Sequence, residues 1–136
     1  MDQKRCQLKQ LIEKTYDCIY SDLEDTLLMK SGEESPKLNY KLIAFLCKSL
    51  NEGKDLYLIT KVKGSNKDLK KELKENYLNG LFSFKRDNVI HIGNNDHKHD
   101  YMKPNSILID DNEFERVDAS SNGFPAISPD DVGLLM

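Results

Sequence analysis

Short, almost wholly apolar runs alternate along this chain with longer stretches in which leucines recur every three or four residues. The run Asp17 to Ser21, with Cys18, Ile19 and Tyr20 consecutive, predicts a strand covered on both faces. Asp55 to Ile59, Val89 to Ile92 and Ser106 to Ile109 repeat the pattern, and Phe124 to Ile127 supplies a short fifth strand. Between them, Lys37 to Asn51 carries Leu38, Leu42, Phe45, Leu46 and Leu50 on one stripe, opened by Ser35-Pro36 and closed near Gly53, which predicts a helix. Asn66 to Tyr77 predicts a second, with Leu69, Leu73 and Tyr77 inward and lysines alternating with glutamates outward. Glu113 to Ser121 predicts a third, ending at Asn122-Gly123. Residues 3 to 14 place Leu8, Leu11 and Ile12 at helical spacing, an N-terminal amphipathic helix, and residues 128 to 136 read as a tail.

Strands alternating with helices define an α/β fold: a mostly parallel five-stranded sheet between two helical layers, a three-layer, Rossmann-like arrangement. At 136 residues, 38% of them hydrophobic, the chain suits one domain over residues 1 to 136, with a core that closes without staples. A formal charge of −3 argues against a globally basic nucleic-acid binder. Cys6, Cys18 and Cys47 are odd in number and lack CxxC spacing, which suits reduced thiols in a cytoplasm. The polar N-terminus does not read as a signal peptide, and no apolar run approaches the roughly 20 residues of a spanning helix, so no membrane partner is expected.

In an open parallel sheet, ligands bind beyond the carboxyl ends of the strands. Polar residues collect at those positions: Asp22, Glu24 and Thr26 after the first strand, Thr60 after the second, Asp110 and Asp111 after the fourth. Four carboxylates sharing one crevice repel one another unless a cation sits among them, and hard oxygen donors with room for water suit Mg2+. Such an ion would let a carboxylate approach a phosphate dianion, which makes a phosphate ester the expected substrate.

These residues resemble the motifs of the haloacid dehalogenase (HAD) superfamily of phosphohydrolases. The family's first motif, an apolar strand followed by Asp-x-Asp-x-Thr, reads CIYSDLEDTLL here, with Glu24 at the second acid position. The second reads LYLIT and selects Thr60; KHDYMKPNSILIDD supplies the lysine and the late acid pair, as in small nucleotidase-like and phage-type members. The resemblance implies a HAD-like fold and a role for each matched position. Asp22 would attack phosphorus, and Glu24 would serve as acid and base. Thr60 with Lys98, or its rival Lys103, would hold phosphoryl oxygens. Asp22, Asp111 and the backbone carbonyl of Glu24 would hold magnesium, with Asp110 in support. Neither gap between motifs holds a cap domain, so the site should be open and admit a small phosphorylated molecule, a nucleotide or a macromolecule end.

Glutamate reaches roughly 1.3 to 1.5 Å further than aspartate, and a misplacement near 1 Å costs about 10²-fold in rate. The alternative reading is therefore a catalytically weak HAD-like module that binds phosphorylated ligands, nucleic-acid ends or a protein partner. A receiver domain uses a similar residue set, but with its acid pair early and its Thr and Lys late, the reverse of the order here. The stretch HIGNNDHKH holds His91, His97 and His99 near Asp96 and Asp100. Its position, in a strand pattern and around a phosphate lysine, argues against a transition-metal site. The lysine-rich helix from Asn66 reads as a solvated face, with contact to a polynucleotide backbone as the other reading.

Overall fold

A computed structural model describes residues 16–29, 37–82 and 88–135. The N-terminal helix expected over residues 3 to 14 and the polar loop before Lys37 lie outside them. Seven strands and three α-helices are described: β1 (Cys18–Ser21), β2 (Leu28–Met29), β3 (Lys37–Leu38), α1 (Tyr40–Asn51), β4 (Asp55–Thr60), α2 (Asn66–Glu75), β5 (Val89–His91), β6 (Ser106–Ile109), α3 (Glu113–Ser121) and β7 (Ala126–Ile127). Five strands form one sheet in the order β5-β4-β1-β6-β7, with every pair parallel.

Central β1 is buried at all four residues, as a strand covered on both faces must be. Its alternation divides the core. Ile19 points with Leu56, Leu58, Ile107 and Ile109 toward α1 and α2, which contribute Leu42, Phe45, Leu46, Leu69 and Leu73. Cys18 and Tyr20 point with Tyr57 and Leu108 to the other face, where Ala119 of α3, Ile92 and Met102 cover them. Tyr20 and Tyr57, paired across β1 and β4, stack with ring centroids 4.7 Å apart. This is the expected α/β/α layering, and among the described residues no second domain covers the sheet's end. No helix among them is long and apolar enough to cross a membrane. Cys18 is buried and Cys47 exposed, and both are free thiols.

Several expected boundaries shift. The helix predicted from Lys37 begins at Tyr40, because Asn39 caps it by accepting the Leu42 N–H at 3.2 Å. Lys37 and Leu38 instead pair antiparallel with Met29 and Leu28, a small hairpin packed against the turn after β1. Leu50, expected on the buried stripe, is 37% exposed. The second helix stops at Glu75, and Tyr77, expected inward, is 90% exposed. The third strand ends at His91 and the fifth is only Ala126–Ile127. Residues expected as a tail form a 3₁₀ helix, Pro129–Leu135, that buries Val132 against the α1 side of the core.

Candidate active site

β1 and β6 run side by side and in register, so their carboxyl ends deliver the residues that follow to one place. The Asp22 N–H still donates to the Ile109 carbonyl at 3.0 Å, which sets Asp22 beside Asp110 and Asp111. Beyond Asp22 the chain folds back sharply. Leu23, Leu27 and Leu28 are buried, and the Leu23 carbonyl accepts from the Leu27 and Leu28 N–H groups, both at 2.9 Å. Asp25 makes the turn in the left-handed region, φ 58°, which an aspartate tolerates better than most residues. This returns Thr26 to the floor of the site.

Asp22, Asp110 and Asp111 each turn a carboxylate oxygen to a common point, the three atoms lying within 4.8 Å of one another. The Thr26 hydroxyl ties the set together: it lies 3.3 Å from Asp22 Oδ2 and 3.1 Å from Asp111 Oδ1, and accepts the Asp111 N–H at 3.2 Å. Lys98 reaches in from a 3₁₀ turn, Lys98–Tyr101, and donates to Asp110 Oδ2 at 2.6 Å and Asp22 Oδ1 at 3.1 Å. The other Asp110 oxygen accepts the Asn112 N–H at 3.0 Å, so both its oxygens are engaged within the protein. A lysine only 3% exposed is rare unless paired, and this one faces two carboxylates.

Burial pushes the Asp22 carboxyl up to about 7; the Lys98 ammonium pulls against that rise and the Asp110 charge adds to it. Asp111 is also raised, first by burial, with Thr26 opposing. Burial alone would lower Lys98, but the Asp22 and Asp110 charges overcome it and hold the ammonium above its ordinary value. Three carboxylates thus confront one ammonium in a partly dry site. That surplus of negative oxygen donors is a cluster able to hold a hard cation.

Thr60, the last residue of β4, is buried, and its hydroxyl accepts the Val62 N–H at 3.1 Å. With Glu24, Lys61, Lys63 and Lys98 it lines a cleft of about 590 Å³ whose wall also includes the three aspartates. Glu24 lines this cleft without joining the carboxylate cluster. Lys103 does not: its ammonium donates to the Tyr57 hydroxyl at 2.7 Å and its N–H to the Tyr20 hydroxyl at 2.9 Å, bracing the stacked tyrosines. Of the two rival lysines, Lys98 is the one beside the aspartates.

Two supporting contacts went unread in the sequence. The Arg116 guanidinium donates to the carbonyls of Asp110 and Asp111 at 2.9 and 2.8 Å, fixing the acidic pair from the first turns of α3. Lys61 bonds Glu115 across the cleft at 2.7 Å. Nothing in their spacing separates them from solvated charges on a helix and a loop; only the fold brings them in.

No protein-family model matches the chain, and no curated protein matches it at the level of sequence. The likeness to known proteins is one of fold. An uncharacterized protein from Corynebacterium glutamicum superposes with a TM-score of 0.61 at 13% identity, over 88% of this chain and 95% of that one. A candidate 3-deoxy-D-manno-octulosonate 8-phosphate phosphatase from Vibrio cholerae superposes with a TM-score of 0.52 at 18% identity, over 80% of this chain. The match covers 64% of that protein, so the present chain spans just under two thirds of its length. What these structures share with the chain is the three-layer α/β/α, Rossmann-like fold.

Proposed function

We propose that this chain is a magnesium-dependent phosphohydrolase that cleaves a phosphate monoester through an aspartyl-phosphate on Asp22. The observation that carries the reading is the meeting of Asp22, Asp110, Asp111 and Lys98 at the carboxyl ends of two adjacent parallel strands. The V. cholerae neighbour, a candidate phosphatase, agrees with it in fold.

Asp22 and Asp111, with the backbone carbonyl of Glu24, would hold the ion, and Asp110, whose oxygens already bond Lys98 and Asn112, would support it. Bound there, magnesium supplies the positive charge that lets an anionic carboxylate and a phosphate dianion approach each other. The Asp22 oxygen attacks phosphorus as the bond to the leaving alcohol oxygen breaks, and Glu24 gives that oxygen its proton. Glu24 then takes a proton from water, whose oxygen attacks the same phosphorus, freeing inorganic phosphate and restoring Asp22. Lys98 and the Thr60 hydroxyl, whose lone pair already serves Val62, hold the phosphoryl oxygens through both steps. The exposed Lys63 at the cleft, beside a Lys61 already paired with Glu115, could meet a further phosphate of a nucleotide or nucleic-acid substrate.

The test is release of p-nitrophenol from its phosphate with and without magnesium, in the native chain and in Asp22→Asn. The native chain should turn over only with magnesium, and the variant should fall to background. Equal, background rates for the two would remove the enzyme reading and leave a phosphate-binding module, the role that Glu24 in place of an aspartate favours.

A further inference from the structure

Across the sheet's α3 side, two of the three histidines meet a carboxylate that lies far from them in sequence. His97 Nδ1 is 2.7 Å from Asp118 Oδ2, and His99 Nε2 is 3.7 Å from the same oxygen. The two rings stand 5.1 Å apart between centroids, and one donor atom from each residue falls within 4.8 Å of the others. His91 takes no part: its ring nitrogens bond the Val62 carbonyl at 2.6 Å and the Asn66 side chain at 2.8 Å.

We propose that His97, His99 and Asp118 form a second metal site, taking a transition metal ion such as Zn2+, that clamps the turn bearing Lys98 to helix α3. Donor chemistry sets the ion class: two imidazoles and one carboxylate suit zinc and its neighbours, whereas magnesium prefers oxygen alone. Geometry agrees. Two donors each about 2.1 Å from a tetrahedral ion stand roughly 3.4 Å apart, a value that the two observed separations bracket, so rotamer adjustments suffice. Three protein ligands leave a fourth position for water, and His97, half exposed, opens the cluster to solvent. The far ring nitrogen of His99, Nδ1, lies 3.4 Å from Asp100 Oδ1, the outer carboxylate that commonly orients a ligating histidine.

The consequence follows from Lys98 lying between the two histidines in sequence while its ammonium bonds Asp22 and Asp110. Fixing residues on both sides of it to α3, the helix whose Arg116 holds the Asp110 and Asp111 carbonyls, makes one rigid frame of lysine and acids. This site does not depend on the phosphohydrolase reading. A zinc ion taken by Asp22, Asp110 and Asp111 instead would survive removal of the histidines.

The experiment is a zinc titration of the full chain, stripped with a chelator and saturated with magnesium, followed by calorimetry and by the histidine ring NMR signals. One equivalent should bind, shifting His97 and His99 and leaving His91 unmoved. Asp100→Asn should weaken binding about 10-fold, and His99→Ala or Asp118→Asn by more than the roughly 100-fold upper range for an outer partner. His97→Ala, at a half-exposed position, keeps the test decisive if His99→Ala does not fold. Zinc bound with undiminished affinity by the histidine variants, or no shift of the His97 and His99 signals, would overturn the proposal and leave an imidazolium–carboxylate pair.

Discussion

At the scale of single residues, the proposed reaction turns on Glu24. It sits two residues past the proposed nucleophile and lines the cleft, but its carboxylate stands outside the aspartate cluster. If the longer side chain holds the proton donor off its best position, Glu24→Asp should raise kcat for p-nitrophenyl phosphate by up to about 10²-fold. An unchanged or lower kcat would mean that the cleft has adapted to the longer acid. The sequence made Asp22, Thr60, Asp110 and Asp111 legible because strand ends in a parallel sheet select their own followers. It put the motif lysine at Lys98 with Lys103 as a close rival, since both are loop lysines before β6; what separates them is that one turns under the aspartates and the other onto the Tyr20–Tyr57 stack. Asp118 carried no sequence signal at all, because the contact with His97 spans 21 residues and exists only once α3 packs beside the Lys98 turn.

Elements were legible where the apolar stripe was long and failed where backbone hydrogen bonding ended it. All three α-helices close with the same pair of bonds. In α1 Gly53 N–H reaches the Leu50 carbonyl and Lys54 N–H the Ser49 carbonyl; in α3 Gly123 and Phe124 repeat this onto Ser120 and Ala119. In α2 the pair runs from Tyr77 to Lys74 and from Leu78 to Leu73, and it requires the same left-handed residue. Glycines take that position at φ 87° and 90°, but in α2 it falls to Tyr77 at φ 60°. The Leu69, Leu73, Tyr77 spacing suggested a continuing stripe, whereas buried Leu78 makes the hydrophobic closure and leaves the tyrosine in solvent. A side chain in this region costs roughly 1–2 kcal/mol, offset by about 0.5–1 kcal/mol of extra chain entropy for glycine. Tyr77→Gly should therefore stabilise the chain by about 0.5–1 kcal/mol, read as a higher urea midpoint at unchanged slope. A lower midpoint would show that the exposed ring contributes more than its backbone costs.

For the whole molecule, the sheet serves as a positioning device. Its apolar runs bury both faces and carry Asp22, Asp110 and Asp111 just past the ends of β1 and β6, so the interior that stabilises the fold also fixes where the acids meet. The layering follows from that pattern. The β2–β3 hairpin and the closing 3₁₀ helix did not, because two-residue strands and a short buried turn leave too few positions for any periodicity to register. With one end of the sheet uncovered among the described residues, Lys63 and Asp111 at the cleft reach solvent directly, which leaves room for the larger phosphorylated substrates proposed above.

The most direct measurement of the central claim is a crystal structure of the chain with magnesium and fluoroberyllate, a mimic of the transferred phosphoryl group. The account predicts beryllium bonded to an Asp22 carboxylate oxygen, one magnesium ion shared by Asp22 and Asp111, and the Lys98 ammonium on a fluorine. Magnesium and fluoroberyllate bound elsewhere, with Asp22 still paired to Lys98 and carrying no beryllium, would contradict it.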